Sequence, residues 1–430
     1  MDQFTSHRIR RRVVVTGLGI TTALGRGLDT CWPKLIAGES GIRPISYFDC
    51  SAHAIKVSGE ARDVPHDPEI PDTPASYLRR ACRMFAGSCE EAWRHARLSH
   101  APVPPDQIGI AAGTSTNYVD VRLVKTAWET RRPGRLQTDP EAVVASGEAG
   151  QAHFYRRQGD MMGAAAARKL GLRGPLLLTD TACAASAHAI GLAYHAVRRG
   201  KARAMIAGGA AALAQPLSIL AFALLGALSR GETSECARPF DRQRDGFVMG
   251  EGAGAIVLET LESARERGVP ILAEIVGYGC TTSGHNLTDP SPGGQCEARA
   301  MSAALAEAGI EPGQVDYIAA HGTSTPKNDA NETQAIKSAF GPHAYRLMVS
   351  SNKGHIGHTI SAAGVCNVVF TVKAMREGVA PPTLNLRHPD PQCDLDYVPN
   401  AGRPAAIRTA LCNAFAFGGQ NVSLAVRAWE

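Results

Sequence analysis

Cys183, His321, Lys353 and His358 are the residues whose types and settings could do chemistry. Cys183 stands in LLLTDTACAASAHA, residues 176–189, between an apolar run bounded by Gly174-Pro175 and an Ala-rich run from Ala184 to Val197. The first run reads as a short buried strand and the second as a helix, which puts the thiol on the turn between them. Unpaired N–H groups and the positive end of the dipole at a helix N-terminus favour thiolate over thiol. They can also hold the oxyanion of a carbonyl under attack. Ala182, Ala184, Ala185 and Ser186 are small enough to leave room for a substrate beside the sulfur. The commoner role of a lone cysteine in such a segment is that of a small buried hydrophobe, and what decides between the two lies further along the chain.

His321 opens HGTSTPKNDANE directly after an apolar strand, Tyr317 to Ala320, so its imidazole sits at a strand end rather than inside a core. A satisfied loop histidine would look the same. His355 and His358 in KGHIGHT have a spacing that could suit a metal, but no carboxylate or cysteine cluster accompanies them, and no metal site is expected. Lys353 precedes them in a loop of Lys, Gly and His after a buried strand, a composition commoner in sites than on plain surface. Near the C-terminus, CNAFAFGGQN sets Phe415 and Phe417 beside Gly418-Gly419. That is either a flexible loop bearing two rings or a core strand with a turn.

The elements that must position these residues show themselves as a repeat. VVVTGLGIT at 13–21 resembles AEIVGYGCT at 273–281, GIAAGTST at 109–116 resembles YIAAHGTST at 317–325, and LLLTDTACAASA at 176–187 resembles LMVSSNKGHIGH at 347–358. Three matches in the same order predict two copies of one strand-and-helix unit, joined near residues 262–272. Two such α/β layers facing each other about a pseudo-twofold axis would bring Cys183 near the loops carrying His321 and His358, at the carboxyl ends of strands. Helices are expected near Thr30 to Ile36, Tyr77 to Ala96 and Val121 to Thr130, and a strand at 108–113. The polar segment Thr114 to Gly159 is expected to cover a site or a subunit contact. GLG at 17–19 is not a dinucleotide fingerprint, since Thr22 stands where the third glycine would be.

Composition narrows the class. A chain of 430 residues, 44% hydrophobic and 20% charged, is long enough for two core-bearing units. Its net charge of +5 is too small to argue for nucleic acid, and basic and aromatic residues do not interleave, so the excess is read as a local patch for an acidic partner. Eleven cysteines without any CxxC suggest a reducing cytoplasm rather than a disulfide framework. The polar N-terminus, MDQFTSHRIRRR, reads as neither signal peptide nor anchor. Ala204 to Leu228 carries no charge, but Gly208-Gly209, Gln215 and Pro216 break it. It is read as a buried strand, Ala204 to Ala207, then a loop and a buried helix, with no membrane span.

Five ordered motifs carry a family likeness: TACAAS around Cys183, PFDRQRDGFVMGEGAGAIVLE from Pro239, HGTSTPKND from His321, SNKGHIGHTISAAG from Ser351 and NAFAFGG from Asn413. From Val13 to Leu424 the chain resembles the β-ketoacyl-acyl carrier protein synthases of the thiolase superfamily. The pattern is closest to synthase II and to the ketosynthase subunit of type II polyketide synthases. The resemblance implies a thiolase-like α/β fold of two pseudo-symmetric halves, 1–268 and 269–430, layered α-β-α-β-α. It implies Cys183 as the acyl-accepting nucleophile, and His321 and His358 as N–H donors to the enolate of a decarboxylating malonyl unit. It further implies that the N–H groups of Cys183 and Phe417 would form the oxyanion hole, and that Lys353 would be a structural charge paired with Glu332. It places the pantetheine arm on Thr323, Thr325 and Thr288, and the acyl pocket at Thr116, Phe222 and Phe417, with Phe417 as gate. An acidic acyl carrier protein would meet Arg79, Arg80 and Arg230. No cofactor is implied beyond the carrier's phosphopantetheine. The expected assembly is a homodimer, or a heterodimer with a chain-length partner, whose second subunit covers an edge strand near Ala204 to Ala207.

Departures from the family pattern point to a specialised type II polyketide or fatty acid pathway rather than housekeeping elongation. Ala416 replaces a glycine in the gate loop, Gln420 a small polar residue, Asn286 a histidine and Gly226 a carrier-contacting arginine. Thr116 falls where a branched aliphatic residue lines the acyl tunnel. Its hydroxyl suits a polyunsaturated or oxygenated chain better than a saturated one. A non-catalytic chain-length partner would generally lack the nucleophile, and a thiolase would carry a second cysteine in place of His358.

Overall fold

The computed structural model describes residues 11–64, 66, 77–100, 102–115, 128–129 and 161–430. Among these residues there are fifteen strands, the longer ones formed by apolar runs punctuated by Gly: β1 (Val13–Thr22), β2 (Gly25–Arg26), β3 (Arg43–Pro44), β4 (Val57–Ser58), β5 (Ile108–Gly113), β6 (Leu176–Thr179), β7 (Ala204–Ala211), β8 (Gly252–Thr260), β9 (Ala273–Thr282), β10 (Tyr317–Ala319), β11 (Met348–Ser350), β12 (Val379–Ala380), β13 (Arg403–Pro404), β14 (Thr409–Ala416) and β15 (Gln420–Ala428). Eleven of them join in one sheet ordered β11-β10-β14-β15-β9-β1-β8-β7-β5-β6, with β2 folded onto the end of β1.

That order reads the same from both ends. β9 stands for β1, β15 for β8, β14 for β7, β10 for β5 and β11 for β6. In each half the outer strands are parallel and the inner ones antiparallel. The halves meet at β1 and β9, where Val13, Val14 and Val15 pair antiparallel with Ile275, Glu274 and Ala273. The expected two copies of one unit are therefore present as a thiolase-like α/β fold. Helices Ala185–Arg198 and Ala363–Glu377 lie between the halves, each touching strands of both. They approach so closely that a Cβ on Gly364 would meet the Ala187 Cβ at 2.7 Å. Outside, helix Tyr77–His95 packs on β1 and β8, and helix Gln295–Ala308 on β9 and β15.

Matched glycines explain the first repeat. A Cβ on Gly17 or Gly19 would stand 2.1 or 2.0 Å from the carbonyl oxygens of Ala92 and Ser88 on the outer helix. On Gly277 or Gly279 it would stand 2.1 or 2.0 Å from those of Ala304 and Ala300. Both outer helices lie directly on strand backbone, a packing that no side chain permits.

Three sequence expectations need correction. β7 is not an edge strand: it lies between β5 and β8 and is buried throughout. The edge of this half is β6, expected to be buried, with Leu176 44% and Leu178 37% exposed. The helix after β7, Pro216–Leu224, lies at the surface rather than inside, with only Ser218 and Ile219 buried. A run of apolar residues does not by itself distinguish an interior strand from one awaiting a cover. No helix among the described residues is long and apolar enough to cross a membrane. Most of the expected Val121 to Thr130 helix, and the 114–159 segment from Thr116 onward except Trp128 and Glu129, lie outside the described residues.

Gly17→Ala and Gly277→Ala should each destabilise the fold by about 1–3 kcal/mol, because a helix backbone rather than a flexible side chain must give way. Equilibrium urea unfolding checks this; midpoints equal to wild type would contradict the close packing.

Candidate active site

Cys183 sits in a single 3₁₀ turn, Ala182–Ala184, leading into helix Ala185–Arg198. Ala182 takes φ +45°, a left-handed conformation that side chains disfavour, so the chain turns sharply between β6 and the helix. The end of β5 leaves no slack there: a Cβ on Gly113 would stand 2.3 Å from the Ser186 nitrogen. Only 4% of Cys183 is exposed.

Burial decides the state of the thiol. It pushes Cys183 up to about 12, against the pull of the Lys353 charge and of the N–H groups of Phe417 and Cys183 itself, which reach the sulfur. Sequence reasoning expected the helix terminus to favour thiolate; in this closed setting desolvation outweighs it.

His358 Nε2 lies 3.1 Å from Cys183 Sγ. Its Nδ1 accepts the Ile360 N–H at 3.3 Å, which assigns the ring proton to Nε2, facing the sulfur. His321 meets the His358 ring edge-on at 5.3 Å between centroids, and its Nδ1 has no hydrogen-bond partner. Burial holds both imidazoles well below the ordinary histidine range. The Lys353 charge adds to this for both, and His358 adds further for His321. Both are therefore neutral N–H donors at neutral pH. Their ligating nitrogens and the Cys183 sulfur all lie within 4.8 Å of one another, a donor set that could also hold a soft metal ion; His355 is not part of it. His355 instead bonds the carbonyls of Glu39 and Pro382.

Two carboxylates on helix Pro326–Phe340 set the His321 loop. Glu332 accepts the N–H groups of His321 at 2.9 Å and Gly322 at 2.8 Å, and the Asn413 amide at 3.1 Å. Asp329 accepts the N–H groups of Thr323, Ser324 and Phe240. The expected Lys353–Glu332 pair is not made. The Glu332 oxygens are taken by backbone and amide donors, and the buried Lys353 Nζ has no hydrogen-bond partner. Lys353 and Glu332 interact only through space, and burial pushes the ammonium down to about 8. Sequence reasoning gave no role to Asp329 or Asn413. The signal was available for Asp329, three positions before Glu332 and hence on the same helix face.

A cavity of about 280 Å³ connects these groups to the surface. Cys183, His321, His358, Thr288, Thr323, Thr325 and Phe417 all line it. Thr325 also caps helix Pro326–Phe340 through the Asn328 N–H, and its hydroxyl meets that of Thr323 at 2.9 Å. Thr288 is exposed and bonds Asn286. Phe417 occupies the turn between β14 and β15, followed by Gly418 and Gly419 at φ +83° and +76°, while Phe415 lies buried in β14, so the core strand with a turn is the arrangement present. Phe222 lies outside the lining. It stacks on Phe417 at 6.3 Å and meets Phe247 at 5.6 Å, and Phe247 in turn meets His358 at 5.1 Å.

Of the expected basic patch, Arg80 and Arg230 fall within the described side chains. Arg80 is turned inward, bonding the buried Glu251 at 3.0 Å as well as Tyr47 and the Ala61 carbonyl. Arg230 is exposed. The side chains of Arg79 and Thr116 lie outside the described residues.

Two family profiles cover most of the chain: "Beta-ketoacyl synthase, N-terminal domain" over residues 10–264 and "Beta-ketoacyl synthase, C-terminal domain" over residues 272–387. The chain is 41% identical over 424 residues to 3-oxoacyl-[acyl-carrier-protein] synthase 2 of Synechocystis sp., covering 98% of this chain and 99% of that protein. It is 38% identical to the protein of the same name from Coxiella burnetii, over 96% of this chain and 98% of the other. Among solved structures, a type II polyketide ketosynthase in complex with its acyl-carrier protein and bound to a hexaketide superposes with TM-score 0.86 at 31% identity, over 98% of this chain and 100% of that one. A β-ketoacyl synthase from Burkholderia phymatum superposes with TM-score 0.86 at 32% identity, with the same coverage.

Lys353→Met should slow alkylation of Cys183 by iodoacetamide at pH 7, about tenfold for each unit by which the lost charge raises the thiol. Wild type should lose this advantage as the pH rises through about 8, where Lys353 sheds its proton. Mass spectrometry of the Cys183 peptide against time gives the rates; equal rates in both proteins from pH 6 to 9 would remove the electrostatic role.

Proposed function

The chain belongs to the β-ketoacyl synthase family, and from that premise we propose that it condenses an acyl thioester with malonyl-acyl carrier protein, releasing carbon dioxide and giving a β-ketoacyl-acyl carrier protein. The observation that carries this reading is the Cys183 sulfur 3.1 Å from His358 Nε2, with His321 in the same buried cavity.

The chemistry divides between the thiol and the imidazoles. Cys183 sulfur bonds the acyl carbon, the carbon–sulfur bond to the carrier breaks, and the thiol proton leaves with the carrier's thiol. Lys353 favours the thiolate by charge as this happens, and the N–H groups of Cys183 and Phe417 hold the tetrahedral oxyanion. A malonyl thioester then enters with its carbonyl oxygen toward His321 and His358. Its bond to the carboxylate breaks, and the electron pair passes into an enolate whose oxygen accepts both imidazole N–H groups. Neutral imidazoles suit this step, because a donor that keeps its proton stabilises the enolate without quenching it. The enolate carbon attacks the Cys183 thioester, and the sulfur departs as thiolate to be reprotonated. Glu332 acts as a positioning residue, holding the His321 loop.

Thr288, Thr323 and Thr325 suit hydrogen bonds to an incoming pantetheine arm, since all three line the route to Cys183. Phe222 serves the acyl pocket indirectly, by backing the Phe417 gate. The division at 268/269 is part of the same reading, with the nucleophile in one half and the imidazoles in the other. A specialised pathway is supported by Ala416 in the gate turn; full-length identity to synthase 2 proteins supports fatty acyl elongation. Eleven free thiols fit a reducing cytoplasm. The exposed Leu176 and Leu178 of the edge strand β6, with Leu192 on the following helix, suit a second subunit that extends the sheet. Sedimentation at micromolar concentration should show a dimer, with this chain or with a chain-length partner; a monomer in the presence of both would contradict it.

Cys183→Ala should abolish condensation yet keep malonyl decarboxylation. His321→Ala or His358→Ala should slow decarboxylation by about 100-fold or more. Carbon dioxide release measured beside β-ketoacyl product separates the two steps. Condensation surviving in Cys183→Ala, or decarboxylation unchanged in both histidine variants, would overturn the roles.

A further inference from the structure

A strand that stops inside a protein must find donors for its last carbonyl groups, and β10 stops just before His321. Its ladder with β14 pairs Tyr317 with Ala410, Ile318 with Leu411 and Ala319 with Cys412, and then ends. At that end the carbonyls of Ala319, Ala320 and Asn413 converge on one side chain, the amide of Asn367 on helix Ala363–Glu377. Asn367 Nδ2 lies 3.3 Å from the Ala319 oxygen, 3.0 Å from that of Ala320 and 3.0 Å from that of Asn413. Three acceptors around one atom identify it as the nitrogen, since an amide oxygen there would face three carbonyl oxygens. Its Oδ1 accepts the side-chain amide of Asn352 at 2.9 Å. Only 2% of Asn367 is exposed, so the side chain rather than solvent satisfies this cluster.

The contacts stand beside residues that the chemistry needs. Ala320 precedes His321, Asn352 precedes Lys353, and Asn413 lies in the strand that runs on to Phe417. Glu332 takes the N–H groups at the same strand end, from His321 and Gly322. The His321 segment is therefore held on its N–H side by a carboxylate and on its C=O side by an amide. Asn413 ties the two together, because its side chain donates to Glu332 and its own carbonyl accepts from Asn367. Lys353 and Cys183 have other supports: the Lys353 N–H donates to the Ser351 hydroxyl at 3.2 Å, and Cys183 sits in the turn before helix Ala185–Arg198. Loss of the Asn367 amide falls first on His321.

We infer that Asn367 is a positioning residue for decarboxylation, fixing the end of β10 so that His321 and His358 meet one enolate oxygen together. This rests on the condensing reading above and adds to it a residue that touches neither substrate nor nucleophile. The demand on geometry is strict: a shift of about 1 Å at His321 is enough to cost about 100-fold in rate, since two N–H groups must reach a single atom. The residue type matters as much as its place. A leucine of similar size would leave the carbonyls without this donor, and a carboxylate would set a charged oxygen against all three.

The test measures carbon dioxide release from malonyl loaded on a type II acyl carrier protein. Asn367→Leu should lower kcat about 100-fold and leave KM within about twofold of wild type, because the lost positioning acts on the transition state rather than on binding. Iodoacetamide should alkylate Cys183 in this variant at the wild-type rate, which shows the nucleophile's setting intact. Asn367→Asp separates positioning from packing. Burial beside three carbonyls holds its carboxyl above the usual carboxylate range, so at about pH 6 it keeps its proton and still donates one hydrogen bond. Its decarboxylation should lie within about tenfold of wild type there, and the ratio should fall as the pH rises to about 9 and the ionised form repels the carbonyls. Wild-type decarboxylation in Asn367→Leu would overturn the inference. So would a loss accompanied by faster alkylation of Cys183, which would mark a general loosening of the fold, and so would a constant ratio of the Asn367→Asp variant to wild type across that pH range. Failure of wild type itself to decarboxylate would be a different result, sinking the condensing reading instead.

Discussion

The buried Glu332 carboxylate is the interaction on which the site depends. It accepts two consecutive backbone N–H groups, from His321 and Gly322, and an amide from Asn413. One side chain thereby joins the His321 loop, helix Pro326–Phe340 and the strand that leads to Phe417. Asp329, one turn earlier on the same helix, takes the next N–H groups of the loop. With these backbone donors satisfied by carboxylates of fixed position, the His321 ring is left to face the cavity with one nitrogen unpartnered. A buried polar atom without a partner is costly, and its placement beside the nucleophile is where a substrate oxygen would repay it.

Burial dominates the electrostatics of everything nearby. It disfavours the thiolate at Cys183, the imidazolium at His321 and His358, and the ammonium at Lys353. Each group is pushed toward its neutral form, and Lys353 is the one of these still partly charged near neutral pH. The site therefore holds little fixed charge at rest and meets developing charge with N–H donors and one ammonium. Such an arrangement favours enolate and oxyanion over free hydroxide, because the donors are aimed at particular points rather than spread through solvent.

Much of this was legible in the sequence, and the limits have identifiable causes. The glycine pairs 17/19 and 277/279 announce two equivalent strands because close helix packing demands the same residue in both places. His321 could be assigned to a strand end because Tyr317 to Ala320 is apolar and Gly322 follows. By contrast, the resemblance implied Lys353 as the partner of Glu332, whereas three N–H donors, two from the backbone and one from Asn413, take the carboxylate. Arg80 shows a similar limit. Helical periodicity locates it on an early turn, but only the tertiary fold brings the buried Glu251 under it. The interior place of β7 was hidden because a strand covered by neighbours and one covered by another subunit have the same apolar composition.

The mirror order of the sheet has a consequence for how the chain is made. β1 leaves the ribosome long before one of its sheet neighbours, β9, which begins at Ala273, and the central helix Ala363–Glu377 follows later still. During synthesis the first half must persist with one face of its sheet uncovered and part of an inner strand edge unpaired. Open edges and apolar faces of that kind are where nascent chains associate wrongly. Truncated chains ending before β9 should accordingly be the species that chaperones hold and that inclusion bodies collect, while the finished chain, its seam closed, escapes both.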